Sequence, residues 1–291
     1  MRFSYAETFC DPSYLAPLAV AAEDAGYDSF VVPDSLIFPA ESDTTYPYTA
    51  DGDRAFLEDK PIIEPFALIP FLAARTERIR FTTFVLKLAV RPAVLVAKQA
   101  ASVAVLSNDR LRLGVGISPW PEDFAAMEVE WERRGKRMNE MVDILRGLMG
   151  GDWFEYHGEI LDLARCKICP VPETPVPILI GGHADVALRR AARQGDGWIH
   201  AGGGDGIDLG GMIDRVHALR AEYGKDKDPF EIHVISMDGF SVDGVKRLED
   251  LGVTDVIVGF RYPYTTEPDT QPLTEKIDLL AQFGDRVISK V

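Results

Sequence analysis

Gly181 and Gly182 separate a proline-bounded apolar run, Pro177-Ile178-Leu179-Ile180, from a stretch with Ala187, Leu188, Ala191 and Ala192 at helical spacing. Glycines at such a junction let backbone N–H groups approach an anion, and the start of the following helix adds positive partial charge. A phosphate clamp and a plain strand-to-helix turn both fit the glycines alone. Three other strand-like runs end on residues with chemistry. Asp34 and Ser35 follow residues 29–33, where a carboxylate either accepts a hydrogen bond from a ligand or caps the loop. Gly114 and Gly116 close residues 111–117 and permit a flat ligand to approach the backbone. Beyond them Trp120 either stacks on that ligand or closes a core or lid. Lys87 ends a run that faces either a ligand or solvent.

Other chemistries find less support. Cys166 and Cys169 form one C-x-x-C with no second pair and no histidine at zinc spacing, and the third cysteine, Cys10, is remote. No His, Asp and Glu set shows metal-ligand spacing, so no metal site is expected. The net charge of −15, from 46 acidic and 31 basic residues, argues against nucleic acid and anionic membrane surfaces as partners. A small anionic ligand stays compatible, provided its cations are found locally. No apolar stretch of about 18 residues occurs, nor a basic start followed by an apolar run, which predicts a cytoplasmic protein.

These residues need a frame. The chain has 291 residues, 46% of them apolar, enough for a large core. Strand-like runs cover 2–7, 29–33, 79–86, 111–117, 177–181, 197–201, 231–237 and 255–260. Helix-like runs cover 14–25, 64–75, 93–106, 134–148, 184–193, 212–223, 242–251 and 276–283. Eight alternating pairs predict a (β/α)8 TIM barrel, read here as one domain over residues 1–291, with its active site at the carboxyl ends of the strands. A doubly wound open sheet is the alternative, but no G-x-G-x-x-G follows the first strand. Two insertions break the rhythm. Residues 34–63, after the second strand, carry Phe38, Tyr46, Tyr48 and Phe56 and are expected to form a lid or substrate wall. Residues 153–175, before the fifth strand, alternate like a β-hairpin turning near Gly158.

An ordered set of short motifs then narrows the field. Glu64-Pro65-Phe66, Arg91-Pro92, Leu106-Ser107, Asp109-Arg110-Leu111, Leu113-Gly114-Val115-Gly116 and Met138-Asn139-Glu140 precede the glycine pair, and Gly195-Asp196-Gly197-Trp198 follows it. In this order they resemble the luciferase-like monooxygenase superfamily, and within it the branch using the deazaflavin coenzyme F420. The resemblance implies a luciferase-like barrel that holds a flavin-type ring at the strand ends. It implies a non-prolyl cis peptide at Phe84-Val85, with Thr83 as the one-residue-slip alternative. It further assigns cofactor contacts to Asp34, Ile117, Ser118, Gly181, Gly182 and His183, and it suggests a homodimer.

One departure bears on chemistry. Many relatives follow the acid at Asp34 with a histidine, whereas this chain has Ser35, whose hydroxyl has no pKa near neutrality. Glu7 and His200, at the ends of the first and sixth strands, are the substitute proton donors, Glu7 because a carboxylate at the barrel top is expected to face the cavity. For His200 a packed barrel histidine is the competing reading. His157, His217 and His233 fall in the hairpin, on a polar helix face and inside a strand. The glycine run at 202–206 either closes over a ligand or forms a plain loop. The leading expectation is an F420-dependent oxidoreductase moving a hydride to or from a small, partly apolar organic substrate. An FMN-dependent monooxygenase and a non-catalytic cofactor-binding barrel are the alternatives.

Overall fold

Along each barrel strand, successive side chains alternate between the lumen and the surrounding helices, and this parity decides what reaches the site. The computed structural model describes residues 1–291 except 8, 50 and 203–207, so the expected glycine loop lies outside the described residues apart from Gly202. The elements in order are β1 (Arg2–Ala6), α1 (Leu15–Asp24), β2 (Ser29–Val32), α2 (Pro65–Ala73), β3 (Arg80–Thr83), β4 (Leu86–Lys87), α3 (Ala93–Leu106), β5 (Leu111–Gly116), α4 (Pro121–Ala126), α5 (Arg134–Met149), β6 (Phe154–His157), β7 (Asp162–Cys166), β8 (Ile178–Gly181), α6 (Asp185–Gln194), β9 (Gly197–Ile199), α7 (Leu209–Glu222), β10 (Glu231–Ile235), α8 (Val242–Asp250), β11 (Asp255–Val258) and α9 (Leu273–Arg286).

All barrel pairings are parallel, and β1 joins both β2 and β11, so the sheet closes. The third barrel strand is split into β3 and β4 by the Phe84-Val85 peptide, which is cis as the resemblance implies. Both pieces pair with β5. Eight strands alternating with helices make this a (β/α)8 TIM barrel. The two insertions lie where expected: the 34–63 segment follows β2, and the β6–β7 hairpin precedes β8. Buried Glu140 on α5 holds that hairpin, accepting hydrogen bonds from the amides of Glu159, Ile160 and Leu161 at 2.9, 3.1 and 2.8 Å.

The lumen is filled in layers. At the amino-terminal end of the strands lie buried Ser4, Thr82, Arg112, His233 and Asp255, with Glu231 beside them. Ser4 donates to Asp255 at 2.8 Å, Arg112 pairs with Glu231 at 3.1 Å, and the His233 ring meets Glu231 at 2.7 Å. Above this layer Ala6, Val31, Phe84, Val85, Leu179, Ile199 and Ile257 form an apolar floor. The opposite parity, with Phe3, Tyr5, Phe30, Ile180 and Trp198, packs outward against the helices.

Burial alone would raise the Glu231 pKa, but the His233 hydrogen bond and the Arg112 and Arg2 charges reverse it, from the ordinary 4.5 to about 2. A carboxylate held down in the fold stabilises it above the ordinary value, and this contribution is lost as pH falls from 4.5 towards about 2. Glu231→Gln is therefore expected to cost about 3 kcal/mol at neutral pH. Urea unfolding of both proteins should show that gap closing below pH 4.5; a gap independent of pH would contradict the account.

Candidate active site

The carboxyl ends of the strands open into a cavity of about 1410 Å³ whose two ends differ in chemistry. Its floor is the apolar layer of the lumen, where Phe84 and Val85 bulge between β3 and β4. Gly116 and Gly181 make that bulge possible: a Cβ on either would sit 2.7 or 2.9 Å from a Val85 methyl. Gly114 serves the same strand, since a Cβ there would lie 2.0 Å from the Thr83 carbonyl oxygen. The small residues of β5 and β8 thus accommodate the split strand.

One end of the cavity is basic. Gly181, Gly182, His183 and Ala184 lead into α6, and Gly182 has φ +124°, a conformation open to glycine. Ala184 caps α6 without any side-chain hydrogen bond, which leaves the Asp185 and Val186 amides to other acceptors. Arg133, Arg134 and Lys136 from the start of α5, and Arg189, Arg190 and Arg193 from α6, line the same end. Glu159 pairs with Arg133 and Lys136, and Asp185 with Arg189. Arg134, Arg190 and Arg193 have no carboxylate partner among the described residues. Arg190 is 7% exposed and donates to Asn139 Oδ1 at 2.6 Å and to the Gly135 carbonyl at 3.1 Å. Burial, and then the charge of Arg193, push its pKa down to about 10, so the guanidinium keeps its charge at neutrality. These are the local cations that an acidic chain needs to hold an anion.

The other end is aromatic. The 34–63 segment contributes Tyr46, Tyr48, Phe56, Leu57 and Ile62 to the wall, as a lid segment should. Tyr46 stacks on Trp120 with centroids 5.5 Å apart and meets Phe56 and Tyr264 edge-on or tilted, at 5.2 and 5.8 Å. Between the aromatic wall and the strand ends sits Lys87, 7% exposed, its Nζ 2.7 Å from Asp123 Oδ2. The Ser118 hydroxyl donates to the same oxygen of Asp123 and accepts from the Trp120 amide at 3.1 Å. The short helix α4, which carries Asp123, was not legible in the sequence.

The remaining predicted residues divide. Ser35, Phe84, Val85, Ile117, Ser118, Gly181, Gly182 and His183 all line the cavity. Asp34 borders it, but its side chain is fully covered and receives Arg91 at 2.9 Å and the Lys87 amide at 2.8 Å. It anchors the resumption of the strand at β4. Glu7 also borders the cavity, but its carboxylate is engaged on the side of the helices. It has the outward parity of Phe3 and Tyr5, and its carboxylate accepts from the Tyr5 hydroxyl and from Lys276 Nζ, the latter at 3.0 Å. His200 also has outward parity. It is 4% exposed, packs beside Trp198, and stacks on His183 with centroids 4.5 Å apart. The two imidazoles accept from successive amides: His183 Nε2 from Ala201 at 3.0 Å and His200 Nδ1 from Gly202 at 3.2 Å. Sequence reading missed the basic end, because its cations lie on two helices about fifty residues apart and each set reads as an ordinary solvated face.

A family model described as luciferase-like monooxygenase matches residues 3–237. An uncharacterised protein of Mycobacterium tuberculosis is 60% identical over 291 residues, 100% of both chains. The F420-dependent glucose-6-phosphate dehydrogenase of Amycolatopsis mediterranei is 34% identical over 205 residues, which is 68% of this chain and 56% of that protein. Among solved structures, a monooxygenase of Streptomyces bottropensis superposes with a TM-score of 0.75 at 15% identity over 99% of both chains, a likeness of fold.

Burial, and then the neighbouring His183, push the His200 pKa down from 6.5 to about 4. A histidine held neutral in the fold lowers stability as pH falls through that interval, because the unfolded chain takes up the proton first. In a histidine-selective NMR titration the His200 ring should stay neutral down to about pH 5. Exposed His157, whose pKa is raised by its hydrogen bond to Asp162, should titrate above the ordinary value. A His200 transition near neutrality would return it to the list of proton donors.

Proposed function

Since the chain belongs to the luciferase-like monooxygenase family, we propose that it is an oxidoreductase that binds coenzyme F420 and acts on a small, partly apolar organic substrate. The observation that carries this reading is the basic end of the cavity, where Arg134, Arg190 and Arg193 lack carboxylate partners among the described residues, in a chain of net charge −15. A buried guanidinium at Arg190, flanked by the more exposed Arg134 and Arg193, favours a ligand with a phosphate-bearing tail. The relative named as an F420-dependent dehydrogenase supports the choice of cofactor.

The residues present fit such a group. Gly181, Gly182 and the start of α6 would receive the phosphate together with Arg190, and Phe84, Val85 and Ile199 would support the flat ring. A bound deazaflavin supplies two-electron hydride chemistry, which a protein of natural side chains lacks. The chain's own part is to orient ring and substrate, to wall off water with Tyr46, Phe56 and Trp120, and to hold any proton that accompanies the hydride. Neither Glu7 nor His200 suits that last task, the first being occupied by Lys276 and Tyr5, the second walled off behind His183.

Fluorescence titration of the apo protein tests the reading. F420 should bind at least tenfold more tightly than either FMN or the deazaflavin chromophore stripped of its phosphate tail. Arg190→Met should weaken F420 by about 10- to 100-fold, the loss expected for about 1.5–3 kcal/mol in a hydrogen bond to a charged group. Tighter binding of FMN, or equal binding of the tail-less chromophore, would overturn it.

A further inference from the structure

Lys87 stands apart from every role so far assigned. Its Nζ is buried, and beyond the ion pair with Asp123 at 2.7 Å it has no hydrogen-bond acceptor among the described residues. An ammonium has three N–H donors, and one carboxylate oxygen does not satisfy them all. Desolvating a cation that is left short of acceptors is costly, which makes the remaining donors strong ones for an incoming oxygen. Asp123 is itself only 1% exposed and shares the same Oδ2 with Ser118. This clamp fixes Lys87 against the cavity wall that it helps to line.

The surroundings specify what that oxygen belongs to. Ser118 carries the Trp120 amide, and Trp120 stacks under Tyr46, so the Lys87 ammonium lies at the foot of the aromatic wall. Two of the other cations nearby are already engaged. Arg54 lies 4.4 Å over Trp120 and pairs with Glu122 at 3.3 Å, and Lys60 donates to the Thr266 and Glu267 carbonyls at 3.1 Å. Arg261 is engaged only in part: it donates to the Glu267 carbonyl at 2.8 Å through one nitrogen, and its buried Nη1 has no partner among the described residues. A sugar phosphate would need several free cations here, and the wall offers flat apolar surface instead.

We infer that Lys87, positioned by Asp123 and Ser118, is the oxygen-binding group of the substrate half of the cavity, and that it selects flat, aromatic-sized substrates bearing a carbonyl or phenolic oxygen. This rests on the oxidoreductase reading for its meaning, but not for its test. A fixed cation at such an oxygen acts most strongly where negative charge resides or develops. It also fills the gap left by Ser35, since the ammonium donates a hydrogen bond that requires no imidazole.

4-Nitrophenol is the probe, because its visible absorbance reports its own ionisation and neither cofactor nor turnover is needed. The wild-type apo protein should bind the phenolate and lower the apparent pKa of the bound probe by about one unit or more, a tenfold preference for the anion. Lys87→Met should abolish that shift, and so should Lys87→Met combined with Asp123→Asn, which removes both charges together and leaves no unpaired buried ion. Arg261→Met should keep it. Absence of the shift in wild type, its survival in both Lys87 variants, or its loss in Arg261→Met would overturn the inference. F420 titration of the same proteins keeps the two questions apart. Normal F420 binding without a nitrophenol shift sinks only the Lys87 subsite, and a shift without F420 binding sinks only the cofactor reading.

Discussion

The site rests on the space given to one side chain. Val85 bulges from the third barrel strand into positions that a Cβ on Gly116 or Gly181 would occupy, so glycines on both neighbouring strands are steric requirements of the floor. With Val85 seated, Phe84, Ala6, Val31, Ile199 and Ile257 close the lumen above the polar layer, and the cavity begins there. The glycine pair consequently divides its labour. Gly181 yields room for the bulge, and Gly182, at positive φ, turns the chain into α6. The pair that reads in sequence as either a phosphate clamp or a plain turn thus also serves packing.

The barrel itself was legible because eight apolar runs alternate with helix-like runs, and the closed parallel sheet follows their order. The insertions and the hairpin were legible from length and alternation. The aromatic wall was partly so, since Tyr46, Tyr48 and Phe56 already stood out in a segment too long for a plain connection. The direction of the Glu7 carboxylate had a signal in the sequence. Phe3 and Tyr5 are large while Ser4 and Ala6 are small, so period-two alternation assigns Glu7 to the helix side, where Lys276 meets it. His200 follows Trp198 by the same parity. Arg190 carried no such signal, because a charge on an amphipathic helix looks solvated until the partner helix that buries it is known. Asp123 was hidden by the brevity of α4.

The two ends of the cavity differ in the chemistry they offer a ligand. At the α5–α6 end, guanidinium groups and helix amides converge, a combination suited to a compact anion. At the other end aromatic faces stack upon one another, with a single clamped ammonium at their foot. The floor between them is apolar and shallow enough to support a flat ring. Among the groups first considered as proton carriers, Glu7 and His200 have outward parity, and Ser35 lines the cavity with a hydroxyl.

The basic end has a consequence for how anything negative gets in. A chain of net charge −15 surrounds itself with a potential that repels anions, whereas six cationic side chains border one end of its cavity. At physiological salt the far field fades over about 8 Å, so the repulsion is felt on approach and the attraction only near the mouth. Ionic strength then acts with opposite signs on the two stages, easing encounter while loosening capture. For any anion that binds there, ionic strength sets the tempo of exchange as much as the strength of holding.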